Sequence, residues 1–421
     1  MAEAIRTMTA DPNSVAVIGA GIVGMSAALY LRRAGLPVAV IDPLPPGGGA
    51  SHGNAGLISV ESCVPIALPG MLREVPRWLA DPLAPLAVRP GYLPQALPWL
   101  LRWIAAGRMP RVEAASAALR ALHVNALERY RELLGAEFDS VIRVSGQVHI
   151  WESAEPSPSE TIYRRLWERH GVAAEWLNPD ELRQLVPELG RGVTRAVFLP
   201  KNGHTLNPRR LVVTLARLFI EVGGTVLAER VLKLLPQGTG WRVVTSSANH
   251  LVGKIVVTAG AWSQQLLRPL GIRLPLETER GYHMMLRDAS VVPRIPILSR
   301  SRGFTITPME EGLRLAGTVE IAGLDQPMNE ERAYALLRRA KGLLPGLETS
   351  DFSIWMGFRP SFPDSLPVID EAPGRRGLFL AFGHGHTGMT GGASTGRLLM
   401  QLVTGEPPDL PLAPFSAGRF H

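Results

Sequence analysis

Between Ser14 and Asp42 the chain reads SVAVIGAGIVGMSAALYLRRAGLPVAVID, and this run restricts the possible folds more than any other. Val15 to Ile18 is apolar and β-branched, as expected of a buried parallel strand. It breaks at Gly19-Ala20-Gly21-Ile22-Val23-Gly24, a G-x-G-x-x-G turn. Met25 to Ala34 has helical character and ends at Gly35, a C-cap residue. A second strand, Val38 to Ile41, runs into Asp42, close to the roughly 20 residues expected between turn and acid. Each part has a physical task. Gly19 permits the tight turn, Gly21 lets a pyrophosphate approach the backbone, and Gly24 lets helix and strand pack closely. The helix N-terminus favours the diphosphate, and Asp42 can accept hydrogen bonds from a ribose diol. A membrane span or signal anchor is the plain alternative for so uncharged a run. The three glycines and the terminal acid argue against it.

A chain of 421 residues has room for two domains with a sizeable core. Hydrophobic residues at 46% and charged residues at 19% describe a folded protein. The formal charge of +7 is spread along the chain and suits an anionic ligand or acidic membrane surface better than nucleic acid, because no basic run interleaves with aromatics. The single cysteine, Cys63, rules out an internal disulfide and a cysteine-cluster metal site. No signal peptide precedes residue 14, so a cytoplasmic location is expected, with peripheral contact at the inner face of the membrane as a variant.

The loop PLPPGGGASHGNAGLIS after Asp42 is rich in small residues, as backbone packed on a flat ligand would be; a flexible linker is the bland reading. In residues 64–110 prolines recur, with Trp78, Tyr92, Trp99 and Trp103 among leucines and arginines. Pro98 to Ala106 reads as an amphipathic helix with Arg102 and Arg108 on or beside its polar face. Such a segment suits either a membrane interface or a cap on the protein or a second subunit. A longer helix is expected from Glu113 to Leu134, strands around a turn at Gly146 over 141–151, and helices within 160–190, one capped by Asn178 before Pro179. Asn207 and Pro208 should open a helix to Ile220. Strands are expected at 225–227, 231–235, 241–244, 251–258, 275–286, 304–307, 313–317, 353–359 and 378–382, and a helix at 330–344. The last strand breaks at Gly383-His384-Gly385-His386-Thr387-Gly388 and a helix follows from about Thr390 to Val403. A second glycine-rich helix start can therefore face the same ligand.

Together these signals resemble the FAD-dependent D-amino acid oxidase superfamily, within it the D-amino acid dehydrogenase branch. The motifs are VIGAGIVGMSAALYL with Asp42, ASHGNAGLIS, VVTAGAWS at 256–263, ERGYH at 279–283, GFRPSFPDSLPVI at 357–369 and FGHGHTGMTGGASTGRLL at 382–399. The resemblance implies an α/β fold, with a Rossmann-type FAD-binding domain interleaved with an α+β substrate domain on a mixed or antiparallel sheet. Segments 14–62, 195–272 and 355–421 would form the first, and 63–194 with 273–354 the second. It implies cofactor contacts from Gly19, Gly21, Ile22, Val23, Gly24 and Asp42, and from Ser51, Asn54, Ala55, Gly56 and Leu57. Further contacts are Val231, Ala259, Gly260 and Trp262, and the turn Gly383, His384, Gly385, His386, Thr387, Gly388, Met389 and Thr390.

The resemblance makes Arg359 in GFRP the anchor for an amino acid carboxylate, which a guanidinium binds through two parallel bonds. A structural arginine at a strand end is the alternative. Tyr282 is a second donor to that carboxylate. His52 and His386 are candidates to orient substrate or tune the flavin, with a structural histidine the competing reading. No metal is expected, since His52, His283, His384 and His386 lack carboxylate or thiol partners at ligand spacing. Some oxidases carry an arginine just after a strand like FTITP, where this chain has Met309. His52 is one position out of register for covalent attachment and Cys63 lies elsewhere, so the FAD is expected to be non-covalent. The implied reaction is oxidative deamination of D-amino acids, with electrons passing to a quinone or oxygen. The alternatives are oxidation of secondary amino acids such as D-hydroxyproline, D-proline or sarcosine, or a flavin subunit of a membrane-associated electron relay.

Overall fold

The computed structural model describes residues 11–70 and 83–420. At its centre lies a six-stranded sheet in the order Thr225–Leu227, Val38–Ile41, Val15–Ile18, Lys254–Val257, Leu378–Phe382, Val368–Glu371. All neighbours run parallel except the last pair. Val15–Ile18, Val38–Ile41 and Leu378–Phe382 are buried at every position, which explains their unbroken apolar runs.

The first helix, Ile22–Arg33, and the last, Gly388–Thr404, pack on this sheet and on each other. Both begin earlier than the expected Met25 and Thr390, because the last glycine of each turn, Gly24 or Gly388, already lies within the helix. Their close crossing depends on Gly396, where a Cβ would lie 2.7 Å from the Ser26 backbone. The crossing brings both helix starts to one side of the sheet, beyond the carboxyl ends of its parallel strands.

The second layer is a larger mixed sheet. Its order is Phe352–Ser361, Glu277–Leu286, Gly312–Ile321, Phe304–Met309, Ile297–Ser299, Gln147–Trp151, Arg195–Leu199, Glu175–Leu177, and Leu86–Val88 pairs with 312–321. One face buries Val148, Tyr282, Met284, Ile297, Ile306 and Leu315 under the helices Pro179–Leu185 and Glu331–Lys341. The expected segment boundaries at 195 and 355 fall within this sheet. Strands 195–199 and 352–361 are bonded into its ladder, so they go with it rather than with the parallel sheet. The helices at 109–134 also depart from expectation. Leu127, Tyr130 and Leu133 pack in one core with the first and last helices.

Several elements differ from their sequence-based limits. The helix expected over 113–134 is two, Met109–His123 and Ala126–Leu134. The strand expected over 251–258 divides at Gly253, where a Cβ would lie 1.9 Å from the Pro12 carbonyl oxygen. The helix expected at Pro98 starts at Leu93 and carries Pro98 inside it. Burial of Ala96, Trp99, Leu100 and Trp103 offsets the hydrogen bond that Pro98 cannot donate. Asn178 forms the expected cap, with Glu181 closing a capping box. Trp78 lies outside the described residues.

The same helix bears on the two readings of its tryptophans, and packs them as a cap on the protein itself. Trp99 and Trp103 stack on each other at 5.7 Å, both are buried, and Trp99 Nε1 donates to the Ser361 carbonyl. The exposed apolar residues are instead Leu97 and Leu101. No helix of the described residues is long and apolar enough to cross a membrane.

Candidate active site

A cavity of about 1050 Å³ opens between the two sheets. It exceeds the usual range for small-molecule sites, as an elongated dinucleotide plus a substrate requires. One wall is built mostly of backbone. Gly19 has φ +112°, and a Cβ on Gly24 would lie 1.9 Å from the Gly19 carbonyl oxygen, so neither position tolerates a side chain. Gly21, Ile22 and Val23 at the start of the first helix line the cavity, and so do Gly388, Met389 and Thr390 at the start of the last. Between them lie Asp42, Ser51, Asn54, Ala55, Leu57, Val231, Ala259, Gly260, Trp262 and the turn Gly383 to Thr387. Gly24 and Gly56 do not line it. Gly24 serves helix packing, and Gly56, at φ +80°, turns the loop against Met309 and Thr205. Met309 therefore packs on that turn and does not reach the cavity.

Loops far apart in sequence are tied together here. The Ile22 amide donates to Ser51 Oγ at 3.0 Å, and the Asp42 carboxylate accepts from the Ala20 and Leu44 amides. Burial raises the Asp42 pKa, and these amides counter it. Thr390 Oγ1 accepts from the Ser59 amide at 3.0 Å and donates to the Leu57 carbonyl, closing the loop onto the last helix.

The other wall is the second face of the mixed sheet, and it is made of side chains. Alternation along strand 277–286 puts Glu279, Gly281 and His283 on this face and Tyr282 on the other. Tyr282 is thus not a substrate contact. Its hydroxyl donates to Glu320 at 2.6 Å, and burial together with Glu320 pushes its pKa up to about 12. Arg359 does face the cavity. It stands opposite Glu279 in the ladder, its guanidinium passes over Gly281, and its Nη1 donates to the Thr318 carbonyl at 3.0 Å.

Sequence reasoning singled out Arg359 and His386 but missed the group between them. His386 Nε2 lies 2.6 Å from Glu279 Oε2. Glu279 is 4% exposed, and burial alone would raise its pKa; His386 and Arg359 outweigh this and hold it below the ordinary value. The available signal was period-two spacing from Gly281. His384 is buried on Thr395, and burial pushes its pKa down to about 3.

His52 belongs to the clamp on the loop rather than to this pair. Trp355 covers Gly53, stacks on His283 at 5.2 Å and meets His52 edge-on at 5.8 Å. Arg314, also missed, donates from Nη1 to the carbonyls of His52 and Asn54 at 3.0 and 2.8 Å. Burial lowers the His52 pKa, and Arg314 adds to this.

Residues 14–402 match the family described as DAO, FAD dependent oxidoreductase. The chain is 40% identical over 415 residues to a D-amino-acid oxidase of Bradyrhizobium diazoefficiens, covering 96% of this chain and 98% of that protein. It is 30% identical to a D-amino acid dehydrogenase of Dechloromonas aromatica, covering 95% and 99%. Among solved structures it resembles the iminodiacetate oxidase of Chelativorans sp. BNC1, with TM-score 0.73, 24% identity and 96% and 98% coverage. It also resembles the glycine oxidase of Bacillus cereus, with TM-score 0.72, 21% identity and 93% and 95% coverage.

Proposed function

The chain belongs to the DAO family of FAD-dependent oxidoreductases, and from that premise we propose that it oxidatively deaminates D-amino acids on non-covalently held FAD. The supporting observation is that Arg359 and the Glu279–His386 pair face the same cavity as both glycine-rich helix starts. The cavity volume, the side-chain-free cradle at Gly19 and Gly24, and the two helix N-termini fit this cofactor. FAD, when bound, supplies the two-electron acceptor.

In this reading Arg359 binds the substrate carboxylate through N–H groups other than the Nη1 spent on Thr318. Burial presses the Arg359 pKa down and Glu279 counters it, so the charge persists. His386, oriented through Nε2 by Glu279, offers Nδ1 to the substrate ammonium, which must lose a proton before it can be oxidised. The resulting imine leaves and is hydrolysed to a 2-oxo acid and ammonia. Burial pushes the Cys63 thiol up to about 11, making it a poor candidate for covalent attachment.

Anaerobic mixing of the FAD-loaded protein with D- and L-amino acids tests the reading. Bleaching by D-enantiomers with release of a 2-oxo acid is expected; bleaching by L-enantiomers alone, or by secondary amines alone, would overturn it. Peroxide release against quinone or dye reduction identifies the acceptor, on which the relatives' names divide. Peripheral membrane contact, in this proposal, falls to the exposed Leu97 and Leu101 beside Arg102 and Arg108. Changing both leucines to Ser should abolish flotation with anionic vesicles; unaltered flotation would refute that assignment.

A further inference from the structure

The cavity continues past the substrate anchor along the mixed sheet. Trp355, His283, Ala316, Thr305, Leu298 and His149 are successive partners across the strands and form one continuous row on the cavity face. Arg300, two residues beyond Leu298, projects to the same side and lines the cavity. Four strand spacings separate its end of the row from the strand of Arg359, about 19 Å between backbones at about 4.8 Å per strand. Arg359 reaches inward over Gly281 to Thr318 and shortens that span, while the Arg300 guanidinium stays at the far end of the row, over His149 and Tyr163. The small side chains of Thr305 and Ala316 lie between.

The surroundings of Arg300 are unusual for a cation. Its Nη1 donates to the Tyr163 hydroxyl at 2.9 Å, and its Nη2 lies 3.2 Å from His149 Nδ1. Its guanidinium sits 4.4 Å over the Tyr163 ring, and its Nε is buried without a partner. Burial and Arg300 keep the His149 pKa well below its ordinary value, so both polar partners are neutral. Among the described residues no carboxylate stands within ion-pair distance of Arg300. The nearby acids are already used: Glu152 by Arg302, Glu160 by Arg195, Glu61 by Arg120. A guanidinium in a cavity wall without a counter-charge keeps its desolvation cost until an anion binds. Its planar fork fits a carboxylate.

We propose that Arg300 binds a second carboxylate of the substrate, so that the preferred substrates are D-amino acids with an acidic side chain. This rests on the deaminase reading, with Arg359 holding the α-carboxylate at the other end. The Tyr163 hydroxyl, which accepts from Arg300, has its own proton to donate to the same carboxylate.

The test compares D-glutamate with D-glutamine, and D-aspartate with D-asparagine, on the FAD-loaded enzyme. The acid should be favoured in kcat/KM by about 30-fold or more in at least one pair, as expected when a charged group loses its partner. Arg300→Gln should bring that ratio to within about threefold of parity, and Arg300→Lys, which keeps the charge but not the fork, should fall between. A readout independent of turnover is the binding of glutarate against butyrate, followed by calorimetry and by the spectrum of bound flavin. Glutarate should bind at least about tenfold tighter, and Arg300→Gln should erase the difference. Equal handling of acid and amide, or a variant that weakens both alike, would overturn the proposal and leave Arg300 as a prop for Tyr163 and His149. If no D-amino acid bleaches the flavin, the deaminase reading fails, and the glutarate comparison still decides the role of Arg300.

Discussion

The two walls of the cavity are made in opposite ways. The wall at the parallel sheet is chiefly backbone: glycine turns, helix starts and small loop residues, with Asp42 a charged side chain that already accepts from the Ala20 and Leu44 amides. The wall at the mixed sheet is chiefly side chains, with Arg359, Glu279 and Arg300 facing inward and His386 reaching across from the opposite turn to Glu279. The contrast follows from what each must recognise. A diphosphate can be held by amides and helix dipoles, which glycine exposes. A small zwitterion must be oriented by discrete charges, and buried charges are stable there only when paired or awaiting a ligand.

The sharpest way to break this contrast is to put a side chain on the backbone wall. Gly24→Val should eliminate retained FAD, because its Cβ would lie 1.9 Å from the Gly19 carbonyl. Flavin absorbance of the purified variant checks this, and full occupancy would mean that the turn can yield. Next in size, Arg359→Ala should keep the flavin and lower kcat/KM by about 10³-fold, within the 2–5 kcal/mol typical of an uncoupled buried charge. A variant that instead loses FAD would show that the walls are not independent.

The smallest effect sharpens the side-chain wall. In the wild type, Glu279 titrates below its ordinary value of 4.5, so its contribution to stability is full above that pH and declines as pH falls through the depressed pKa. Glu279→Gln should therefore have lower stability near neutrality and a shallower loss on acidification between roughly pH 5 and 3. Denaturant midpoints across that range give the comparison. A steeper acid limb in the variant would contradict the sign.

The difference between the walls also explains what could be read from the sequence. Backbone wall residues announce themselves locally: a strand, three glycines and an acid need no tertiary partner to be understood, and strands 15–18, 38–41 and 378–382 match their expected limits. Side-chain wall residues acquire meaning only through pairing. Glu279 and Tyr282 sit in the same ERGYH stretch, and only the ladder reveals that one faces the cavity and the other the core. Arg314 and Arg300 drew no attention in the sequence, because nothing nearby in it indicates a loop 260 residues away or a cavity. Trp99 and Trp103 left two readings open for a related reason. An amphipathic helix shows that it has an apolar face, but not what covers that face.

The position of strand 378–382 inside the parallel sheet has a temporal corollary. During translation, Val15–Ile18 emerges early, yet one flank of Lys254–Val257 stays without its neighbour until almost the entire polypeptide has left the ribosome. A nascent chain would thus carry an exposed, sticky β-edge for most of its synthesis, first on Val15–Ile18 until 254–257 is made and then on Lys254–Val257, making chaperone occupancy the natural companion of this topology.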